Sequence, residues 1–170
     1  MDPIELGNCY TQYQRRLYLV AFAITMNRDA AEDAVHDALE RMLRTRVTPR
    51  NVLGYLMRAV RNSAIDLVRR RRVPAAHDDV EAILEEPGEQ QSDIDPERIG
   101  TALGMLRYDE REAIWLHIYA DLSFREIAEL KCAPLNTVTS WYRRGIEKLK
   151  EHLSDEHDRS REASAKRDSA

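Results

Sequence analysis

Apolar residues recur at three- and four-residue spacing along most of the chain, the period of helices with one buried face. Leu17, Val20, Ala21 and Ile24 set that stripe in a first helix predicted over Ile4 to Met26. Asn27 and Arg28 read as a turn, and Asp29 as an N-cap with Glu32 three residues on as its capping-box partner. The second helix runs to Arg44 with Ala34, Val35, Ala38, Leu39 and Met42 inward. Thr48 then Pro49 reads as a cap and first turn, since proline lacks the N–H that position would leave unpaired. Val52, Leu53, Leu56, Val60, Ala64, Leu67 and Val68 trace the third stripe to Arg72. No Val/Ile/Thr alternation is long enough for a sheet, so the expected class is all-α.

The pattern breaks at VPAAHDDVEAILEEPGEQQSDID, where apolar residues thin out around Pro87-Gly88. Such a segment buries too little to fold alone and reads as a flexible acidic linker, with room for a short helix at Val80 to Leu84. The expected division is a helical domain at 1–73, a linker at 74–95, a second helical domain at 96–153 and a disordered or fraying tail at 154–170. Four helices are predicted in the second domain: Pro96 to Leu106; Glu110 to Tyr119, capped by Asp109; Phe124 to Leu130, capped by Ser123 with Glu126 as box partner; and one opened by Pro134, reaching Leu153.

Charge complicates a search for function. The 170 residues carry a formal charge of −4, which opposes binding to phosphate. The charge is segregated, however. Arg58, Arg61 and Arg69 to Arg72 form one basic block; Lys131, Arg143, Arg144, Lys148 and Lys150 form another; His77 to Glu97 has neither Lys nor Arg. The two cysteines, Cys9 and Cys132, are too few and too far apart for a disulfide framework or a zinc site. His36 has no second ligand at metal spacing and reads as a surface or interface residue. The polar start MDPIELGNCY predicts no signal peptide, and the stretch near Leu17 to Met26 is too short to span a bilayer. Gly-rich phosphate loops, HExxH and nucleophile elbows are missing, so neither catalytic residues nor cofactors are expected.

The segment LSFREIAELKCAPLNTVTSWYRRGIEKL reads as a helix-turn-helix. Ile127, Ala128, Val138, Tyr142 and Leu149 provide its small core. Asn136, Thr139, Ser140, Arg143 and Arg144 share the opposite face at i, i+3, i+4, i+7 and i+8. Asn suits adenine, Arg suits guanine or phosphate, and Ser or Thr suits either weakly.

These residues resemble the bacterial RNA polymerase sigma factors of the extracytoplasmic-function group. LSFREIAEL followed by P-x-x-TV-x-S carries the C-terminal likeness. AAEDAVHDALERML is similar to the family's core-polymerase-binding helix, and YLMRAVRNSAIDLVRRRR to the helix that meets the minus-ten element. The resemblance implies that Glu32, Asp33 and Asp37 dock on core RNA polymerase. It implies that Arg58, Arg61, Asn62, Arg69 and Arg70 meet the minus-ten DNA and its opened strand. Asn136, Thr137, Thr139, Ser140, Arg143 and Arg144 would then meet double-stranded promoter DNA at the minus-thirty-five element. It further implies a cytoplasmic protein without membrane insertion, commonly held by an anti-sigma factor.

Departures from the family pattern matter. Cys132 stands where the turn usually has Gly; Cys fits positive φ poorly, so a differently built turn is expected. Asn136 replaces another common Gly. Thr139, Trp141 and Ile146 occupy positions often held by Lys or Arg. Tyr55 reads as core rather than a base-stacking platform, and Asp66 as a partner for a nearby Arg. Two other functions stay open: a stand-alone helix-turn-helix regulator, and a helical polymerase-interaction protein with weakened DNA binding.

Overall fold

The computed structural model describes residues 3–44, 49–71 and 96–167, and all the regular structure there is helical. The helices are α1 (Pro3–Thr25), α2 (Arg28–Arg44), α3 (Val52–Arg71), α4 (Pro96–Met105), α5 (Tyr108–Ile118), α6 (Phe124–Lys131) and α7 (Leu135–Arg167). The linker reading and its short helix lie outside the described residues.

Local chemistry moves several helix starts from where the sequence predicts them. Asn27, not Asp29, caps α2: its Oδ1 accepts from Ala30 N–H at 2.9 Å. Met26 just before it takes φ 47°, turning the chain sharply between α1 and α2. Pro49 does not lie in the first turn of α3; Asn51 caps that helix by accepting from Gly54 N–H at 2.8 Å. The start of α5 likewise falls earlier than Asp109, with Glu110 accepting from Arg107 N–H at 3.3 Å. The expected tail is helical instead: α7 continues past Leu153 to Arg167. Residues 154–167 include neither Gly nor Pro, so nothing intrinsic stops the helix.

Helices α1, α2 and α3 pack on one another, and α5, α6 and α7 on each other with α4 against α7. Leu17, Val20, Phe22, Ala34, Ala38, Leu56, Val60 and Ala64 are buried in the first group. Leu103, Ile114, Leu116, Leu122, Ile127 and Val138 are buried in the second. Gly145 lets α7 lie against α5: a Cβ there would come within 2.6 Å of Ile114 Cδ1 and 3.3 Å of Glu110 Cβ.

The two groups also meet, through α1 and α5. Phe22 packs on Trp115 with ring centroids 5.1 Å apart, and Trp115 stacks on Tyr119 at 4.4 Å. Arg16 donates to the carbonyls of Ala120, at 2.8 Å, and Asp121. These contacts fix the orientation of one group relative to the other.

Candidate nucleic-acid interface

The helix-turn-helix is α6, a short turn and α7. Ser123 and Glu126 close a capping box at the start of α6. Ser123 Oγ accepts from Glu126 N–H at 3.3 Å, while the Glu126 carboxylate accepts from Ser123 N–H at 2.8 Å and its hydroxyl at 2.7 Å. The Ser123 hydroxyl and backbone hold the Glu126 carboxyl below its ordinary range despite opposing burial, with Arg16 adding to the effect. Cys132 ends α6 in the left-handed conformation, φ 51° and ψ 43°. The expectation of a differently built turn is therefore wrong. The positive-φ turn is kept, and Cys carries the strain a glycine would avoid. Ala133 N–H donates to Ala128 carbonyl at 3.0 Å, and Pro134 carbonyl accepts from Thr137 and Val138 to start α7.

Along α7, Asn136, Arg143 and Arg144 are exposed, whereas Thr137, Thr139 and Ser140 are half-buried. Thr139 Oγ1 donates to the carbonyls of Leu135 and Asn136, at 3.2 and 3.1 Å, and Ser140 Oγ donates to Asn136 carbonyl at 2.7 Å. Arg144 leans toward buried Glu110, with Nε 3.7 Å from its carboxylate, and Lys148 Nζ lies 2.7 Å from it. Burial pushes the Glu110 carboxyl up, but Lys148, the Arg107 N–H and Arg144 outweigh it and hold it below its ordinary range.

Within the second basic block Lys131 is internal, whereas Arg143, Arg144 and Lys150 stay at the surface. The Lys131 side chain is only 2% exposed; it pairs with Asp109 at 3.0 Å and with fully buried Glu112. Its ammonium also sits 5.0 Å from the Trp141 ring centroid and 5.4 Å from that of Tyr108. Trp141 therefore packs against the end of α6.

In the first group, Glu32, Asp33 and Asp37 are all exposed on α2. Glu32 and His36 form one wall of a groove of about 490 Å³ that Tyr10, Gln14, Tyr18 and Arg28 also line. On α3, Arg58 and Asn62 line a second cavity, of about 390 Å³, with Tyr55, Ala59, Arg41 and Met42. Tyr55 is not core as the sequence suggested: it is 38% exposed on that rim, because its position falls off the Leu56–Val60–Ala64 stripe. Arg41 also reaches Asp66 at 3.9 Å, an exposed pair of the kind expected for Asp66. The sequence reading missed Arg41, which directly precedes the inward-facing Met42.

Arg61 does not join Arg58 and Asn62 in the cavity. Its Nε donates to Glu112 of α5 at 2.9 Å, leaving the side chain 15% exposed. Burial disfavours its charge, but the Glu112 carboxylate outweighs that and raises its pKa above the ordinary value. Arg69 and Arg70, at the end of α3, are exposed.

Such an all-helical arrangement, with a recognition helix on one group and an acidic and a basic helix on the other, is that of a DNA-reading transcription protein. The family models agree: residues 9–73 match "Sigma-70 region 2" and residues 97–149 match "Sigma-70, region 4". The RNA polymerase sigma factor SigV of Bacillus subtilis is 27% identical over 156 residues, covering 89% of this chain and 92% of that protein. The ECF RNA polymerase sigma factor SigE of Mycolicibacterium smegmatis is 31% identical over 153 residues, covering 84% of this chain and 59% of that one. Among solved structures, the sigma factor RpoE of Bartonella quintana, in complex with the anti-sigma factor NepR, superposes with a TM-score of 0.66 at 24% identity. It covers 88% of this chain and 97% of that one. CnrH, in complex with the cytosolic domain of CnrY, gives 0.67 at 22% identity, over 91% and 90%. The chain belongs to the sigma-70 family, in its extracytoplasmic-function group. It is a sigma factor that directs promoter recognition with RNA polymerase.

No described helix is long and apolar enough to cross a membrane. Among the described residues, no group of three or more His, Cys, Asp or Glu is placed to hold a metal ion.

Proposed function

We propose that the acidic face of α2, Glu32, Asp33 and Asp37, docks on a basic surface of core RNA polymerase. Complementary charge of this kind orients a partner and excludes wrong ones. The cavity between α2 and α3 then receives a base from the opened minus-ten strand. Tyr55 supplies a ring for stacking, Asn62 an amide for a base edge, and Arg58 and Arg41 positive charge for the backbone, the combination used in single-strand binding. Arg69 and Arg70 hold phosphates further along α3. Helix α7 enters the major groove at the minus-thirty-five element with Asn136, Thr137, Thr139, Ser140, Arg143 and Arg144 toward the DNA. Residues 1–73 and 96–153 act as the two domains, joined by a linker at 74–95.

The observation that carries this reading is the α2–α3 cavity, where an aromatic, an amide and two guanidinium side chains converge. Arg61 belongs to the same DNA surface, and reaching a phosphate requires it to leave Glu112 as the two groups separate. The protein works in the cytoplasm and does no covalent chemistry of its own. An anti-sigma partner is supported by the similar RpoE, solved in complex with the anti-sigma factor NepR.

Run-off transcription with core polymerase on a genomic promoter library tests the reading. Initiation from discrete sites is expected, and Tyr55→Ala and Asn62→Ala are expected to lower strand opening while upstream duplex binding persists. Failure to direct initiation from any promoter overturns it.

A further inference from the structure

A recognition helix reads bases with whatever its first turns leave free. On α7 the hydroxyls of Thr139 and Ser140 are not free donors. Thr139 Oγ1 donates to Leu135 and Asn136 carbonyls, and Ser140 Oγ donates to Asn136 carbonyl. Each hydroxyl has a single proton, so what Thr139 retains for a base is its methyl group and an acceptor. Arg144 leans toward Glu110. Leu135, by contrast, is 44% exposed on the first turn of α7. Residues 135 and 139 lie four apart, on one face. The leading edge of the recognition helix is therefore an isobutyl group and a methyl beside the Asn136 amide.

Only one feature of the major groove is apolar, the C5 methyl of thymine. We propose that Leu135, with the methyl of Thr139, is a specificity-determining contact for a thymine methyl in the minus-thirty-five element. This rests on the reading that α7 occupies the major groove there. It explains how a helix with no Lys or Arg in its first two turns selects sequence: discrimination there comes from apolar contact, while Arg143 supplies charge.

The test replaces each thymine of the mapped upstream element by deoxyuridine, which removes the methyl and keeps the pairing edge. Affinity of the full chain with core polymerase is then measured. One position is expected to lose about fourfold, the value of burying one carbon group. Leu135→Ala is expected to reduce the thymine-to-uracil penalty at that position to under about twofold, the two losses sharing one contact. Thr139→Val, which keeps the methyl, is expected to preserve the penalty, and Thr139→Ser to shrink it. Leu135 is exposed, so its substitution leaves the core intact. An upstream element without thymine, uracil tolerated at every position, or an unchanged penalty in Leu135→Ala overturns the proposal. If scrambling the whole element changes nothing, the major-groove reading itself fails, an outcome distinct from uracil tolerance within a required element.

Discussion

Arg61 of α3 and Glu112 of α5 face each other across the junction of the two helical groups, 2.9 Å apart, and Glu112 at the same time holds Lys131. One buried carboxylate thus serves two cations from different parts of the chain. Removing one partner of a buried pair strands the other's charge, typically at 3–5 kcal/mol. Glu112→Ala strands Arg61 and leaves the Lys131 side chain, 2% exposed, with Asp109 alone. It is expected to cost at least about 3 kcal/mol. Arg61→Ala leaves Glu112 paired with Lys131 and should cost distinctly less. Chemical denaturation of the two variants checks the order; equal losses would show that Glu112 is not shared.

The strained turn of the helix-turn-helix gives a second expectation. Cys132 is in the left-handed region at φ 51°, which costs a β-carbon-bearing residue roughly 1–2 kcal/mol. Glycine avoids that cost but loses more backbone entropy on folding, about 0.5–1 kcal/mol. Cys132→Gly is therefore expected to stabilise the protein by about 0.5–1 kcal/mol, whereas Cys132→Val should destabilise it. Denaturant midpoints at unchanged m-value provide the measurement.

Gly145 gives the opposite sign for a change to alanine. In an exposed helix interior this substitution gains about 1 kcal/mol. Here the new Cβ would meet Ile114 Cδ1 at 2.6 Å and Glu110 Cβ at 3.3 Å, and Ile114 is itself buried. Overpacking of this kind costs about 1–3 kcal/mol, so Gly145→Ala is expected to lower stability and push α7 from α5. A rise in Tm would mean that the helices separate without cost.

Acid should weaken the second helical group. Glu126 and Glu110 both have folded pKa values below the ordinary range. The Ser123 hydrogen bonds are the chief cause for Glu126; for Glu110, Lys148, the Arg107 N–H and Arg144 overcome burial. A depressed folded pKa means that the unfolded chain binds protons first. The stabilisation is present above the unfolded value, about 4.3, and is lost as pH falls through the folded values. Tm is expected to fall below about pH 4.3. Glu126→Gln keeps much of the capping geometry but cannot titrate, so it should flatten part of that fall. An identical pH profile in the variant would remove Glu126 as a contributor.

The apolar stripes made the helices legible in sequence, because a 3.6-residue period has few structural meanings. Ser123 and Glu126 made one helix start legible too, since that box is local. What failed were features needing tertiary knowledge. Nothing in the sequence tells Lys131 from a surface lysine; its burial follows from Glu112 lying one helix away. Arg61 likewise looked equivalent to Arg58 until the packing of α1 on α5 carried Glu112 to it. Cys132 misled in another way: its poor fit to positive φ was read as pointing to a differently built turn, yet tertiary packing absorbs a strain of this size.

The different surroundings of Arg143 and Arg144 separate two roles that their adjacency in sequence joins. Arg143 is exposed on α7, whereas Arg144 leans toward Glu110 at 3.7 Å beside Lys148. If α7 lies in the major groove, Arg143 is the better placed for phosphate or a base edge. Arg143→Ala is expected to weaken binding to the upstream element. A phosphate contact would act evenly on all sequences and reduce the salt slope by about 1, while a base contact would cost about 1–3 kcal/mol at one position. Arg144→Ala should act mainly on stability, and only slightly, because the pair is half-exposed and Lys148 remains on Glu110. Salt titrations of DNA binding, run beside denaturation curves for both variants, measure the two effects independently. Equal losses of DNA affinity would show that Arg144 leaves Glu110 when the duplex binds.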